Sequence, residues 1–165
     1  MSLVRDIMST PVVTVREDTP LADVAALMLE RRIGCLPVVA ADGRALGIVT
    51  ESDFGARARY FPFSRERAPQ LFGEWMTRGH VEEDYAAAGT RPVSAIMTPH
   101  LMTVCEDDSI ESAIERLLET GLVRLPVLRD GVPVGIIARH DLLKLMRARG
   151  VPPPRPDQSR SAKTT

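Results

Sequence analysis

The chain has 165 residues and a formal net charge of −1, and 44% of its residues are hydrophobic, 26% charged and 4% aromatic. A nearly neutral net charge gives no reason to expect nucleic acid or an acidic membrane surface as a partner. No apolar run approaches the roughly 20 residues that span a membrane, and the beginning of the sequence lacks the apolar stretch of a signal peptide. We therefore expect a cytoplasmic protein without membrane insertion.

An amphipathic helix follows a short β-rich run near the beginning of the chain. Residues 12–15, Val-Val-Thr-Val, predict the strand. Thr19 is placed as the N-cap and Pro20 as the first helical residue, and both types are favoured at those positions. The apolar residues that follow recur at helical spacing and predict a buried helix face, formed by Leu21, Val24, Ala25 and Met28.

A hairpin is predicted after this helix. Residues 36–39 and 46–49 are apolar runs on either side of Asp42 and Gly43, and Asp-Gly between two such runs is typical of a hairpin turn. Both runs are apolar almost throughout, so we expect helices to cover both faces of the small sheet. A further helix is predicted to begin near Glu51.

A segment over residues 55–92 has a different character. The apolar side chains from Ala68 to Met76 predict a short amphipathic helix that packs Phe72 and Trp75 onto the rest of the protein, and residues 81–88 predict further helical turns. We therefore expect an ordered insert. Its beginning is basic, with Arg57, Arg59, Arg65 and Arg67.

The remainder of the sequence repeats the first part. Residues 4–39 align with residues 93–128, and after one deletion the alignment continues through the hairpin. The second copy places Asp108 as a helix N-cap, Gly121 where a left-handed residue ends the helix, and a hairpin turn at residues 130–131. Identical pairs include Ile7/Ile96, Met8/Met97, Thr14/Thr103, Asp18/Asp107, Pro37/Pro126 and Asp53/Asp141.

The duplication predicts how the chain is organised. We expect a first repeat over 1–54, an inserted helical segment over 55–92, a second repeat over 93–149 and a disordered Pro-rich tail over 150–165. One repeat is too small to bury its apolar strands alone. Two repeats packed about a pseudo-two-fold axis solve this problem. The predicted fold class is α/β, with two tandem βαββα repeats in a single unit.

The ordered set of motifs resembles the CBS domain, the repeat named after cystathionine β-synthase. The set comprises Ile-Met, a Thr-Val strand, an amphipathic helix, Leu-Pro-Val, a hairpin and Gly-Ile-Val-Thr-Glu-Ser-Asp, and it occurs twice with the departures noted below. The resemblance implies a Bateman module, whose clefts between repeats bind an adenosyl ligand such as AMP, ADP, ATP or S-adenosylmethionine. It also implies that the module regulates a separate, unidentified protein, as stand-alone CBS proteins do.

The resemblance assigns ligand contacts to Thr50 and Asp53. In the family, the acid at this position accepts hydrogen bonds from the ribose hydroxyls, and the hydroxyl of the preceding Ser or Thr meets ribose or phosphate. The same Thr-Glu-Ser-Asp sequence is also a capping-box pattern, which stabilises a helix start without any ligand. The two roles are compatible, and we expect the cleft at Asp53 to be the favoured one.

The second copy departs from this pattern because it has Ala138 in place of the hydroxyl, although it keeps Asp141. Arg124, Arg139 and His140 add donors that could serve a phosphate or a base, or could be solvated surface side chains. Whether the second cleft binds a ligand is therefore left open.

In each copy, a further segment begins the central strand, and in the family this segment lines the adenine pocket. The two segments are Gly34, Cys35, Leu36 and Pro37 in the first copy, and Val123, Arg124, Leu125 and Pro126 in the second. The alternative is that these residues only pack in the core.

No catalytic residue, metal ligand or obligatory cofactor is predicted, since the sequence has no P-loop, nucleophile elbow or metal-ligand spacing of its histidines. The two cysteines show no CxxC spacing and predict reduced thiols. We expect a homodimer, because the apolar helix faces exceed what a thin module needs internally. Two alternatives stay open, namely a nucleic-acid-binding regulator that uses the Arg-rich insert, and a structural interaction module with vestigial sites.

Overall fold

The computed structural model describes residues 2–55, 57–60, 67–72, 74–75, 79–99 and 101–148. The tail predicted over 150–165 lies outside these residues. The described helices are α1 (Val4–Ile7), α2 (Leu21–Arg31), α3 (Val81–Ala88), α4 (Ile110–Thr120) and α5 (Leu143–Ala148). Short 3-10 turns span Glu51–Phe54, Val93–Ala95 and Arg139–Leu142. The described strands are β1 (Val15–Arg16), β2 (Cys35–Val39), β3 (Ala45–Thr50), β4 (Arg57–Tyr60), β5 (Arg67–Leu71), β6 (Glu74–Trp75), β7 (Thr98–Pro99), β8 (Val104–Cys105), β9 (Arg124–Arg129) and β10 (Val132–Ala138).

Each repeat forms one small sheet. The first has the strand order β1-β2-β3-β7 and the second β10-β9-β8, with a parallel first pair and an antiparallel hairpin in both. The predicted turn glycines Gly43 and Gly131 adopt φ of 85° and 82°, and Gly121 ends α4 at φ 68°, a left-handed region that costs glycine little. The predicted α/β class with two tandem βαββα repeats is confirmed.

The segment that begins each repeat packs against the other repeat. Four backbone bridges show this exchange, and equivalent residues of the two copies make them: Leu3 with Ser109, Pro92 with Pro20, Ser9 with Ile136, and Thr98 with Ile48. These reciprocal bridges express the pseudo-two-fold relationship between the repeats.

The two hydrophobic cores follow the same exchange. Val4 and Ile7, from the start of the first repeat, are buried in the core formed by α4, β9 and β10. Val93, from the start of the second repeat, is fully buried in the core of α2, β2 and β3, with Ile96 and Met97 packed against it. Each core is therefore completed by a segment from the other copy.

The insert contains strands where the sequence predicted a helix over residues 68–76. β5 pairs antiparallel with β4 and with β6, so the helix prediction is wrong for the residues that the structure describes there. Pro69 lies in the middle of β5, and a proline within a helix would remove a hydrogen bond and clash with the preceding turn. The helical turns predicted over 81–88 are confirmed by α3.

The two aromatic rings of the insert have different surroundings. Phe72 packs against the core of the first repeat and meets Phe54 edge to face, with 6.2 Å between the ring centroids. Trp75 remains 38% exposed. Of the basic residues, Arg57 and Arg59 lie on β4 and Arg67 on β5, whereas Arg65 is outside the described residues.

Candidate ligand site

A cavity of about 440 Å³ lies between the two repeats. Five of the residues predicted to contact a ligand line it: Gly34, Cys35, Arg124, His140 and Asp141. The first two come from the first repeat and the other three from the second. The cavity is therefore a site that both repeats build together.

Equivalent turns bring these residues to the cavity. Arg32, the residue that follows α2, has a left-handed φ of 54°, and the chain then enters β2 through Gly34 and Cys35. In the second repeat, Arg124 begins β9 and lies opposite Ala138, the last residue of β10. The hairpin register thus fixes Arg124 beside the turn that carries His140 and Asp141.

Asp141 is the charged group held most firmly in this site. It is 4% exposed, and its Oδ2 accepts a hydrogen bond of 2.8 Å from the backbone N–H of Ala138. Its Oδ1 lies 2.7 Å from Lys144 Nζ and accepts a 3.3 Å hydrogen bond from the Ser9 hydroxyl. The carboxylate is therefore fixed between α5 and the segment that enters from the first repeat.

Thr50 and Asp53 form the equivalent turn of the first repeat but do not line this cavity. Asp53 Oδ2 accepts hydrogen bonds from the backbone N–H of Thr50 at 2.8 Å and from its hydroxyl at 3.1 Å, and the same hydroxyl lies 3.0 Å from Ser52 Oγ. The backbone contact is one half of a capping box. A ligand role of Thr50 and Asp53 stays a prediction.

The other candidate residues lie in or beside the strands. Leu36 and Leu125 are completely buried in the two cores, and Pro37 and Pro126 are buried next to them. Val123 is 52% exposed. For the two leucines, the core-packing alternative from the sequence analysis describes what the structure contains.

The cavity combines basic side chains with a neutral thiol. Arg32 and Arg124 approach it from the two repeats, with His140 beside them, while the negative charge of Asp141 is offset by Lys144. Burial raises the pKa of the Cys35 thiol, an effect that Arg124 partly opposes. The thiol is therefore protonated at neutral pH, and the arrangement favours an anionic ligand.

Sequence reasoning missed Ser9 and Arg32, which also line the cavity. Ser9 belongs to the exchanged segment, so its position in the chain gave no sign that it meets Asp141. Arg32 follows the end of α2, and its place in the sequence gave no sign that it borders the cavity. The exchange could have been suspected only from the apolar Ile-Met pairs that begin both copies.

Among the described residues, no group of three or more His, Cys, Asp or Glu side chains is arranged to hold a metal ion. His80 instead pairs with Glu83 at 2.8 Å. No helix in the described part of the chain has the length and apolar character needed to cross a membrane.

Solved structures resemble this chain over most of its length. The CBS domain of a CBS domain-containing membrane protein from Sphaerobacter thermophilus is 41% identical, with a TM-score of 0.67 over 87% of this chain and 86% of that one. CBSX2 in complex with AMP is 22% identical, with a TM-score of 0.64 over 89% and 97% of the two chains. The CBS domain pair of protein MJ0100, in complex with 5′-methylthioadenosine and S-adenosyl-L-methionine, is 21% identical, with a TM-score of 0.64 over 90% and 98%.

Sequence comparison points the same way. The chain is 31% identical over 134 residues to the CBS domain-containing protein CBSX1, chloroplastic, of Arabidopsis thaliana. This match covers 79% of this chain but only 57% of that protein. A family model described as the CBS domain matches residues 4–54 and 93–148. With the duplicated motifs and the exchanged segments, these matches show that the chain belongs to the CBS domain family.

Proposed function

We propose that this protein is a non-catalytic regulatory module that binds an adenosyl ligand between its two repeats and modulates a separate protein partner. The observation that carries the proposal is the cavity of about 440 Å³ lined by both repeats, a size within the range of about 300–1,000 Å³ usual for small-molecule sites. The adenosyl ligands of CBSX2 and of the MJ0100 pair support the choice of ligand class.

The charges favour a ligand that carries phosphate. Arg32 and Arg124 bring two permanent positive charges to the cavity, and guanidinium groups pair well with phosphate oxygens. Asp141 adds little net negative charge because Lys144 lies against it. We therefore rank AMP, ADP and ATP above S-adenosylmethionine, whose sulfonium group is positive.

In this proposal Asp141 holds the ribose. The departure at Ala138 removes a hydroxyl from this repeat, but the Ser9 hydroxyl lies 3.3 Å from the same carboxylate. Ser9 thus supplies, from the other repeat, the type of group that Thr50 supplies beside Asp53 in the first copy. The methyl group at Ala138 does not leave the second site without a hydroxyl.

Binding at this place would act on the relative position of the repeats. A ligand that contacts both repeats changes the population of their arrangements only if its affinity differs between those arrangements. We propose that this shift is passed to the partner through a homodimer in the cytoplasm. The nearly neutral net charge does not favour nucleic acid as that partner.

A thermal-shift screen tests the proposal. The full chain is heated with adenosine, AMP, ADP, ATP or S-adenosylmethionine, and a ligand at 100 times its Kd should stabilise the protein by about 2.7 kcal/mol. The phosphate-bearing ligands should give the largest shifts. Arg124→Gln should reduce them, whereas Arg31→Gln, an exposed arginine on α2 that does not line the cavity, should not.

The outcomes are distinct. If none of the five ligands stabilises the chain, the sensing function is refuted, and a structural interaction module with vestigial sites becomes the better description. If S-adenosylmethionine binds more tightly than AMP, the phosphate preference is refuted while the sensing function stands.

A further inference from the structure

A second cavity, of about 190 Å³, lies within the insert, between its strands and α3. Phe72 and Trp75 line it from the strand region of the insert, Asp84 and Ala88 from α3, and Arg91 from the segment that follows the helix. None of these residues lines the cavity between the repeats. It is therefore a separate place, outside the cleft proposed for the nucleotide.

Asp84 lines this cavity, and one oxygen of its carboxylate has unusual surroundings. Its Oδ2 atom is buried and has no hydrogen-bond partner among the described residues. A buried polar atom without a partner costs about 1–3 kcal/mol, and more when the group is charged. An ammonium group placed in the cavity against the Asp84 carboxylate would balance its negative charge.

Arg91 places a positive charge in the lining of the same cavity, to which Glu74 also belongs. Its guanidinium carbon lies 5.9 Å from the centre of the Phe72 ring, and its Nη1 lies 3.8 Å from a carboxylate oxygen of Glu74. The Glu74 side chain is 85% exposed, and exposed ion pairs at such a distance contribute little. Arg91 is therefore positioned by the aromatic ring and only weakly engaged by its carboxylate partner.

The size of the cavity limits what it can take. A cavity of about 150 Å³ accommodates benzene, whereas drug-sized ligands occupy about 300–1,000 Å³. A space of about 190 Å³ is too small for a nucleotide and suits a molecule of fewer than about a dozen heavy atoms. Its walls include the buried apolar side chains of Leu71 and Ala88.

We propose that this cavity binds a small zwitterion, specifically an α-amino acid with a short apolar side chain. The ammonium group pairs with the Asp84 carboxylate, the ligand carboxylate pairs with Arg91, and the side chain lies against Phe72 and Trp75. The protein then has a second effector site, in the insert, that is independent of the adenosyl ligand.

The intrinsic fluorescence of the full chain tests this proposal, because Trp75 is its only tryptophan and lines the cavity. Titration with L-leucine, L-valine or L-methionine should change this fluorescence saturably. Asp84→Asn and Arg91→Gln should each raise the Kd about tenfold or more, the worth of one hydrogen bond to a charged group. Glu82→Gln, a matched change at an exposed position of α3 outside the cavity, should leave the Kd unchanged.

Two derivatives separate the charged ends of the ligand. N-acetyl-L-leucine lacks the ammonium group and L-leucinamide lacks the carboxylate, so both should bind more weakly than L-leucine. Equal affinity for L-leucinamide would overturn the zwitterion assignment. Absence of any saturable signal at concentrations on the order of 10 mM, where millimolar affinity is detected, would overturn the site itself.

Folding of the variants is checked by circular dichroism. If Asp84→Asn does not fold, Arg91→Gln and the two derivatives still decide the matter. AMP binding measured on the same samples should be unaffected by L-leucine occupancy, so a failure of this site and a failure of the nucleotide site are distinguishable.

Discussion

Lys144 Nζ lies 2.7 Å from Asp141 Oδ1 and also donates a 2.7 Å hydrogen bond to the backbone carbonyl of Ile7. One lysine thus joins the site carboxylate of the second repeat to the segment contributed by the first. The first copy has Ala56 at the equivalent position of the sequence. The lysine that contacts Asp141 therefore has no counterpart at the matching position of the first copy.

This difference predicts unequal effects of removing the two carboxylates. Asp141→Ala should weaken AMP binding by about 1.5–3 kcal/mol, because it removes a hydrogen-bonding charge at the cavity. Asp53→Ala should weaken it less, since Asp53 does not line that cavity. The sequence alone favoured the opposite order, so isothermal titration of both variants compares the two expectations. A larger loss in Asp53→Ala would place the ligand in the first cleft.

Two equivalent glycines allow the exchanged segments to approach the sheets. A Cβ at Gly47 would lie 2.8 Å from the backbone oxygen of Thr98, and one at Gly135 would lie 2.5 Å from Met8 Sδ. Gly47→Ala should destabilise by about 1–3 kcal/mol because a backbone must move. Gly135→Ala should cost less, since the methionine side chain can move more easily.

Urea denaturation of the two variants gives these free energies. Gly55→Ala is the matched control, because its new Cβ would lie 3.4 Å from its nearest neighbour, which is an ordinary contact. Equal stability of Gly47→Ala and the control would contradict the close approach of the Thr98 backbone.

The two cysteines should differ in reactivity toward iodoacetamide. Cys35 is buried, and this burial raises the pKa of its thiol, so less of the reactive thiolate is present near pH 8. Cys105 is exposed and should be modified first. Saturating AMP should slow modification of Cys35 further, because the ligand fills the cavity that this thiol lines. Peptide mass spectrometry measures both rates, and a Cys35 rate equal to that of Cys105 would contradict the prediction.

Acid should remove one ion pair of the second repeat. Two hydrogen bonds from Arg129, one of them 2.6 Å long, lower the pKa of the Glu106 carboxyl. The stabilisation is therefore present above the ordinary pKa of the glutamate and is lost as the pH falls through its lowered pKa in the folded state. Glu106→Gln should lower the Tm at pH 7 but leave it unchanged in strong acid.

The equivalent residue of the first copy provides the control for this change. Glu17 matches Glu106 in the alignment of the two copies. The first copy has alanine, at positions 40 and 41, where the second copy has Arg129 at the end of β9. Glu17→Gln should therefore give a smaller change of Tm at pH 7. Equal changes in the two variants would mean that the net charge, and not the Arg129 contact, determines the effect.

Homodimer formation should depend on two leucines at equivalent positions of the repeats. Leu29 on α2 is 80% exposed and Leu118 on α4 is 71% exposed. Leu29→Arg and Leu118→Arg should therefore give the 18.1 kDa monomer in light scattering, because each places a charge in an apolar contact. Asp23→Arg, on the same helix as Leu29, controls for added positive charge. A monomeric wild-type chain would contradict the homodimer.

The duplication and the hairpins could be predicted because their signals are local. Asp130 and Gly131 specify a tight turn between two apolar runs, and Gly121 marks the end of a helix, whatever the rest of the chain does. Pro69 was an equally local signal against the helix predicted over 68–76. The prediction gave more weight to the spacing of the aromatic residues than to Pro69, and the structure has a strand at this proline.

The cavity could be predicted only in part because two of its walls come from distant segments. Gly34, Cys35 and Asp141 carried the family pattern and reach the cavity. The Ser9 hydroxyl reaches Asp141 only because the first segment crosses to the other repeat. Nothing in the spacing of residues within one copy indicates that crossing, since it is a property of how the two copies associate.

The crossing of the first segments has a consequence for how such a chain arises. A polypeptide with one repeat could not complete its own core with Val4 or Val93, because each of these residues packs in the core of the other repeat. Two separate copies would have to associate to bury them. Their folding would then depend on protein concentration. When both copies lie in one chain, the contacts of these segments with the opposite core become intramolecular. Each repeat then meets the segment that completes its core at an effective concentration set by the connecting insert.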